Sequence, residues 1–523
     1  MNFTNAAPTD FTIRENRDDF KKIIDSFQAE KHGTLKAFPI INGKQISTDS
    51  IQESLDPSSG EVLGHVHFAG EKELEGLVES LSAAKSNWRK TSWKNRADIL
   101  RKAAEIMHER KLDLAALLVH EAGKPWKEAD ADVDEAIDFC AYYAEIGEEM
   151  GKPNLTQKVL GEENYLSYSP RGIALVISPW NFPLAIACGM AAAALVTGNP
   201  TILKPAEQTS LIGYALAEIF LEAGIPEDVF AFLPGEGEVI GRRLVNDPNI
   251  DIICFTGSKP VGLEILRSAA EIKEGQSRIK KVICELGGKN AIIVDEDSDL
   301  DEAVKGIIYS AFGFSGQKCS ACSRVIAVGS SYEKLVQRLA EAAEDIITGQ
   351  AFEASTLLGP VIDKETQERI LKTINTAESE NTLAAKGKVP AKGFFVPQTV
   401  FRDVPEDSPI WAEEIFGPVI ACAKADSFEE AVEMANRSQY ALTGGVFSRS
   451  PKNIDYARSE FEVGNLYINR TCTGAIVCRQ PFGGFKMSGI GSKAGGPDYL
   501  LQFVEPRTYT ENTMRRGFSP DFT

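Results

Sequence analysis

Hydrophobic positions in the first part of the chain recur at helical spacing. Residues 11–35, FTIRENRDDFKKIIDSFQAEKHGTL, place Phe20, Ile23, Ile24 and Phe27 on one side and charge on the other, which predicts a polar amphipathic helix. FPIINGKQI at 38–46 then reads as strand, turn and strand around Asn42-Gly43. Residues 71–150 return to helical periodicity in Ala-, Glu- and Lys-rich stretches such as ELEGLVESLSAAKSNW and RADILRKAAEIMHERKLDLAALLV.

From residue 173 the pattern changes to short apolar runs alternating with helical ones. Strands are predicted at IALVISPW, TILKP, DVFAFLPG, DIICFTG and KKVICELGG. Between them lie helices such as SLIGYALAEIFLEAG, which stops at Gly224 before Pro226. Alternation at this spacing implies parallel βαβ units in a doubly wound sheet. A second α/β run extends from about Asn290 to 485, with the strand RVIAVG and the helix SYEKLVQRLAEAAEDIITG. The tail is Gly-rich (GGFKMSGIGSKAGGPDYL), then strand-like in FVEPRTYTEN. With 523 residues, too many for one hydrophobic core, two α/β domains are the expectation.

Composition narrows the class. A hydrophobic content of 43% and a charged content of 25% are ordinary for a globular chain. The net charge of −19 argues against nucleic acid and anionic membranes as main partners, although a local positive pocket for a nucleotide is compatible with it. The opening MNFTNAAPTDFTIREN lacks the basic and apolar regions of a secretory signal, and LAIACGMAAAALV at 184–196 is too short to span a bilayer. Nine scattered cysteines make no disulfide framework. The expectation is a cytoplasmic protein in a reducing compartment. All five histidines, at 32, 65, 67, 108 and 120, lie far in sequence from the pair Cys319 and Cys322.

That pair, in FGFSGQKCSACSR, admits several readings. A zinc site would need a second C-x-x-C or a nearby histidine, so no metal is expected. A redox pair belongs at the start of a helix in a small βαβ unit, and a buried cysteine is commonly inert. A single nucleophile with a bystander gains weight from the rest of the chain. Glu285 ends an apolar strand in ICELGGKN, where desolvation would bring its carboxylate toward a general base's range. Asn181 sits in the loop of SPWNFP, where its amide would face a reacting oxygen or organise an ordinary Asx-turn. Lys204 and Glu207 in TILKPAEQT follow a strand at the edge where α/β sheets bind ligands. A carboxylate there suits ribose hydroxyls and repels a 2′-phosphate, though a solvated loop is the plain alternative. Gly257 and Ser258 in CFTGSKPVG open a helix whose N–H groups suit a phosphate. The motif departs from G-x-G-x-x-G and also fits a simple strand-to-helix turn.

Taken in order, PWNFP, KPAE, FTGS, ELGGKN, GQKC, EEIFGP and PFGGFKMSG resemble the aldehyde dehydrogenase superfamily, with motifs from about 165 to 490. GQKCSACSR, CTGAIVCRQPFGGFKMSGIGSKAGGPDYL and DEAIDFCAYYA resemble the group within it that acts on L-glutamate γ-semialdehyde, the open form of 1-pyrroline-5-carboxylate. The resemblance implies an NAD-dependent enzyme with Cys319 as nucleophile and Glu285 as general base, and with Asn181 and the Cys319 N–H holding the oxyanion. Lys204 and Glu207 would hold the adenosine ribose of NAD, and Gly257 and Ser258 its pyrophosphate. Glu414 would reach the nicotinamide ribose and Phe416 would flank the ring. Ser320, Gly474 and Ala475 would bind the substrate's α-carboxylate. Cys478 stands in this anchor loop where glycine is expected. The implied α/β architecture has a Rossmann-like NAD-binding domain (1–150 and 169–286) and a catalytic domain (287–485). An oligomerisation element (151–168 and 503–523) and a Gly-rich return (486–502) complete it, and a homo-oligomer, dimer or higher, is expected. A hydrolytic dehydrogenase for another small semialdehyde is the alternative.

Overall fold

The computed structural model describes residues 3–514. Its largest sheet has eight strands in the order Gly489–Ile490, Lys281–Glu285, Ile250–Thr256, Ile173–Ile177, Thr201–Lys204, Phe230–Phe232, Ile40–Ile41 and Lys44–Gln45. The five strands from Lys281–Glu285 to Phe230–Phe232 are mutually parallel. Ile173–Ile177 is the first of these five in sequence and sits in their middle. The chain winds from it first to one side and later to the other, so the switch point falls between it and Ile250–Thr256. Both of these strands are almost wholly buried, which is why they read as continuous apolar runs without alternation.

The second sheet has seven strands: Thr382–Lys386, Thr399–Arg402, Val419–Ala425, Cys322–Val328, Asn290–Val294, Thr443–Phe447 and Asn465–Ile468, parallel except for the first. The two sheets meet through GGKN, which leads straight from the strand ending at Glu285 into the strand starting at Asn290. The carboxyl edge of the first sheet thereby faces the amino edge of the Cys322–Val328 strand, and the nominated chemistry gathers at that junction. Gly489–Ile490 pairs antiparallel with Cys284 and Glu285, so the Gly-rich tail returns to the first sheet.

The helical stretch 71–150 resolves into helices Leu77–Lys90, Trp93–Glu109, Lys111–Glu121 and Trp126–Met150, packed on the first sheet around one large core. The predicted helix at 11–35 is shorter than its pattern: it runs Arg14–Ser26 and ends in a wider turn, Phe27–Lys31. Ile51–Asp56 and Glu61–His67 form an antiparallel pair that the sequence pattern does not announce. The first of them is exposed along its outer half and carries little alternation. Glu162–Pro170 and Val504–Asn512 form a long, largely exposed antiparallel arm with Asn154–Leu155 at its edge. The end of the predicted oligomerisation element, 515–523, lies outside the described residues. No helix among the described residues is long and apolar enough to cross a membrane.

Candidate active site

Glu285, Cys319, Ser320, Gly474 and Ala475 line one cavity of about 410 Å³. The route from sequence to this convergence is local. Glu285 is the last residue of its strand, in register with Thr256 on one side and Gly489 on the other. The two glycines after it permit close approach. A Cβ on Gly287 would collide with the Glu414 carboxylate, and one on Gly288 would sit 2.5 Å from the Cys319 carbonyl oxygen. The Cys319 loop is held by Asn290, whose Nδ2 donates to the carbonyls of Cys319 and Ala321, each at 2.8 Å. Its Oδ1 accepts the Thr443 N–H. The sequence reading quoted Asn290 in its motif but gave it no task. Its chain neighbours carried the visible chemistry.

Just before the nucleophile, Phe314, Ser315 and Gly316 all have φ near +50 to +70. Two non-glycine residues in the left-handed region cost on the order of 1–2 kcal/mol each and persist only where the surroundings enforce them. Ser315 Oγ donates to the Gly359 carbonyl at 2.6 Å. Gly316 admits no side chain because the Gly417 carbonyl lies against it.

Electrostatics separate Glu285 from Cys319. Burial pushes Glu285 up to about 7, with Lys493 pulling weakly the other way. Burial, with Glu285 and Glu414 adding repulsion, pushes the Cys319 thiol well above its ordinary value. The resting site therefore holds a protonated thiol beside a carboxylate poised near neutrality. Cys322, the first residue of its strand, is buried in the core of the second sheet, and its Sγ donates to the Arg324 carbonyl. It has no access to the cavity that Cys319 lines.

Asn181 is buried and does not line the cavity. Its Nδ2 donates to the Gln317 carbonyl at 3.0 Å, two residues ahead of the nucleophile, which leaves one N–H of the amide unspent. Phe182, the next residue, does line it. Phe416, at φ +55, meets the Trp180 ring edge-on with centroids 5.5 Å apart. Glu414 accepts the Gly288 N–H at 2.8 Å, and burial raises its pKa.

Lys204 and Glu207 line a separate groove of about 540 Å³ with Gly237, Gly241 and residues 261–268 of the helix Lys259–Ala270. Lys204 Nζ is buried 2.9 Å from Glu207 Oε1, which also accepts the Gly237 N–H. Burial raises Glu207, but the Lys204 ammonium and these hydrogen bonds outweigh it and hold the carboxylate below its ordinary value. A Cβ on Gly237 or Gly241 would meet the Lys204 side chain at ordinary contact distance, so both glycines border the groove closely. Ser258 is the N-cap of the helix that walls the groove and makes no side-chain capping bond there. The Gly257 N–H is spent on the Glu285 carbonyl. A fixed carboxylate, a glycine-lined hollow and an uncapped helix start fit an adenine dinucleotide.

Part of the cavity wall comes from the acidic face of helix Trp126–Met150, which no motif announces. Glu128 pairs with Lys318 at 2.7 Å, and Glu135 lines the cavity, pushed up to about 8 by burial and by Asp132. The available signal was the spacing of Glu128, Asp132 and Glu135 on one helical face. In the anchor loop Cys478 sits at φ +70, a conformation that favours glycine, and its N–H donates to the Gly495 carbonyl. A larger hollow of 840 Å³ around Phe11, Trp126 and Arg338 contains none of the nominated residues. Among the described residues, His32, Asp56 and His120 form a group with metal-ligating geometry. In it Asp56 lies 2.9 Å from His120 Nδ1 and 3.6 Å from His32 Nε2.

Residues 45–509 match the aldehyde dehydrogenase family. A 1-pyrroline-5-carboxylate dehydrogenase of Geobacillus sp. (strain WCH70) is 46% identical over 96% of this chain and 98% of its own. The crystal structure of a Thermus 1-pyrroline-5-carboxylate dehydrogenase with bound NAD superposes with a TM-score of 0.95 at 42% identity, covering 98% of this chain and 99% of that one. Proline utilization A from Bdellovibrio bacteriovorus, inactivated by N-propargylglycine, gives a TM-score of 0.97 at 47% identity. The match covers 99% of this chain and 54% of that longer one.

Proposed function

The chain belongs to the aldehyde dehydrogenase family, and from that premise we propose that it oxidises L-glutamate γ-semialdehyde, formed from 1-pyrroline-5-carboxylate, to L-glutamate with NAD in proline and arginine catabolism. The observation that carries this reading is the single cavity shared by Cys319, Glu285 and the Ser320, Gly474 and Ala475 anchor. The first sheet serves as the NAD-binding domain and the second as the catalytic one.

Burial keeps the Cys319 thiol protonated, so it ionises as it attacks and not before. Glu285 takes the Sγ proton while sulfur bonds to the aldehyde carbon. The carbonyl oxygen becomes an oxyanion, held by the Cys319 backbone N–H and, as the oxygen presses past the cavity lining beside Phe182, by the unspent N–H of the buried Asn181. One such donor is worth about 3 kcal/mol of barrier. Lys204, Glu207, the helix opening at Ser258, and Glu414 would hold NAD, which would supply the acceptor for the hydride lost as the Cys319 thiohemiacetal becomes a thioester. Glu285 gives the first proton up to solvent and then takes one from water. The hydroxide attacks the thioester carbon, and the Cys319 sulfur leaves with its bonding pair and is reprotonated by Glu285. Ser320 and the N–H groups of Gly474 and Ala475 receive the α-carboxylate, so an alkyl aldehyde would leave those donors unpaired.

Nine free thiols suit a reducing cytoplasm. The exposed arm, with Leu155, Val159, Leu160 and Tyr509 uncovered, suits a second copy of the chain, so the enzyme works as a homo-oligomer. The test is NADH formation with pyrroline-5-carboxylate, succinic semialdehyde and simple alkyl aldehydes. A clear preference for the first is expected, and C319A abolishes turnover. Equal rates for all three would remove the anchor argument, and an active C319A would remove the mechanism.

A further inference from the structure

Lys124 is fully buried in the loop between helices Lys111–Glu121 and Trp126–Met150. Its Nζ lies 2.9 Å from Asp132 Oδ2, yet it makes no well-aligned hydrogen bond. Two aromatic faces surround it instead. Nζ is 3.8 Å from the Phe182 ring centroid and 4.8 Å from that of Phe314.

These two rings belong to the two segments that must meet for catalysis. Phe182 directly follows Asn181, and Phe314 begins the left-handed turn that leads to Cys319. The contacts close into a ring. The Phe314 carbonyl accepts the Gln317 N–H at 3.1 Å and Gln317 Nε2 at 3.3 Å. The Gln317 carbonyl accepts Asn181 Nδ2, and Phe182 returns the path to Lys124. Asp132 secures the far side: its Oδ1 accepts the N–H of Ala185, the first residue of the helix that follows the Asn181 loop, at 2.8 Å.

We propose that Lys124 is a positioning residue: its ammonium, held by Asp132 and faced by Phe182 and Phe314, fixes the Asn181 loop and the Cys319 loop in one relative placement, so that the Asn181 amide meets the carbonyl oxygen that the sulfur attacks. This rests on the oxyanion role given to Asn181 above. A charge buried without full hydrogen bonding is a poor stabiliser. An ammonium over a ring face is directional in a way that an aliphatic contact is not, because the attraction depends on the ring's quadrupole. The arrangement thus suits aiming better than packing, and it supports a turn whose φ values are unfavourable on their own.

The experiment is a double-mutant cycle on the complete enzyme with pyrroline-5-carboxylate and NAD, comparing K124M, N181A and K124M/N181A, each first shown folded by thermal unfolding. K124M is expected to lose about 10- to 100-fold in kcat, in keeping with the cost of a small misplacement of reacting groups, with both KM values within about threefold. N181A is expected to lose about 10²–10³-fold, and the double variant to fall no further than N181A. A folded K124M with wild-type kcat beside an impaired N181A overturns this inference alone, as do losses that multiply in the double variant. A fully active N181A overturns the oxyanion assignment and this inference with it. Where K124M fails to fold, the same cycle run with F314L, which keeps the ion pair and removes one ring face, decides by the same criteria.

Discussion

Glu285 and Cys319 share a cavity and are both desolvated, but burial acts on them with different consequences. For the carboxylate it brings the proton affinity to about 7, where a base is both available and strong. For the thiol it removes the thiolate that would otherwise form unaided. In the proposed mechanism Glu285 acts as the deprotonated base, so kcat should fall about tenfold per unit below pH 7 and level off above it. E285Q should lose about 10²–10⁴-fold and with it that ascending limb, as read from steady-state rates between pH 5.5 and 9. A limb that survives in E285Q would assign the titration to another group, with Glu135 the cavity's next candidate.

At the scale of elements, the site is made by the ends of strands and by the turns that leave them. Asn181, Lys204, Glu207, Gly257, Ser258 and Glu285 all sit at or just past the carboxyl ends of parallel strands. Cys319 approaches from the amino end of a strand in the other sheet. GGKN is the joint, and its glycines are spatial requirements, not flexible spacers. G288A, whose new methyl would press on the Cys319 carbonyl, should shift the nucleophile loop and lower kcat about 100-fold while the protein stays folded and NAD binding changes little. Fluorescence titration with NADH beside turnover measurements separates the two effects.

For the whole molecule, the proposal gives NAD binding to the first sheet and catalysis to the second, and gives the exposed arm to assembly with a second copy. Tyr165 and Tyr509 stack at 4.9 Å and stiffen the arm, whose apolar side chains nothing among the described residues covers. Leu160 is 94% exposed at its tip. L160D should therefore shift the enzyme toward smaller species in sedimentation velocity. Wild-type protein sedimenting as a monomer at micromolar concentration would remove the assembly from the proposal.

The α/β alternation, the strands at 173–285 and the order of motifs were legible along the chain because buried parallel strands are continuous apolar runs and their turns carry fixed residue types. The strands Ile51–Asp56 and Glu61–His67 were not: the first is an edge strand exposed along half its length, and the second, paired on both sides, alternates imperfectly. The candidacy of Cys319, Glu285 and the proposed anchor residues came from local motifs, and the structure brings them to one cavity. What local motifs cannot carry is distance: that Asn181 turns its amide toward Gln317, that Asn290 holds the Cys319 carbonyl, and that helix Trp126–Met150 supplies part of the cavity wall. Glu128 lies 190 residues from the Lys318 it pairs with. Such a contact leaves no trace in periodicity or composition. Only the packing of one element against another creates it, and with it the low-dielectric cavity in which these groups acquire their chemistry.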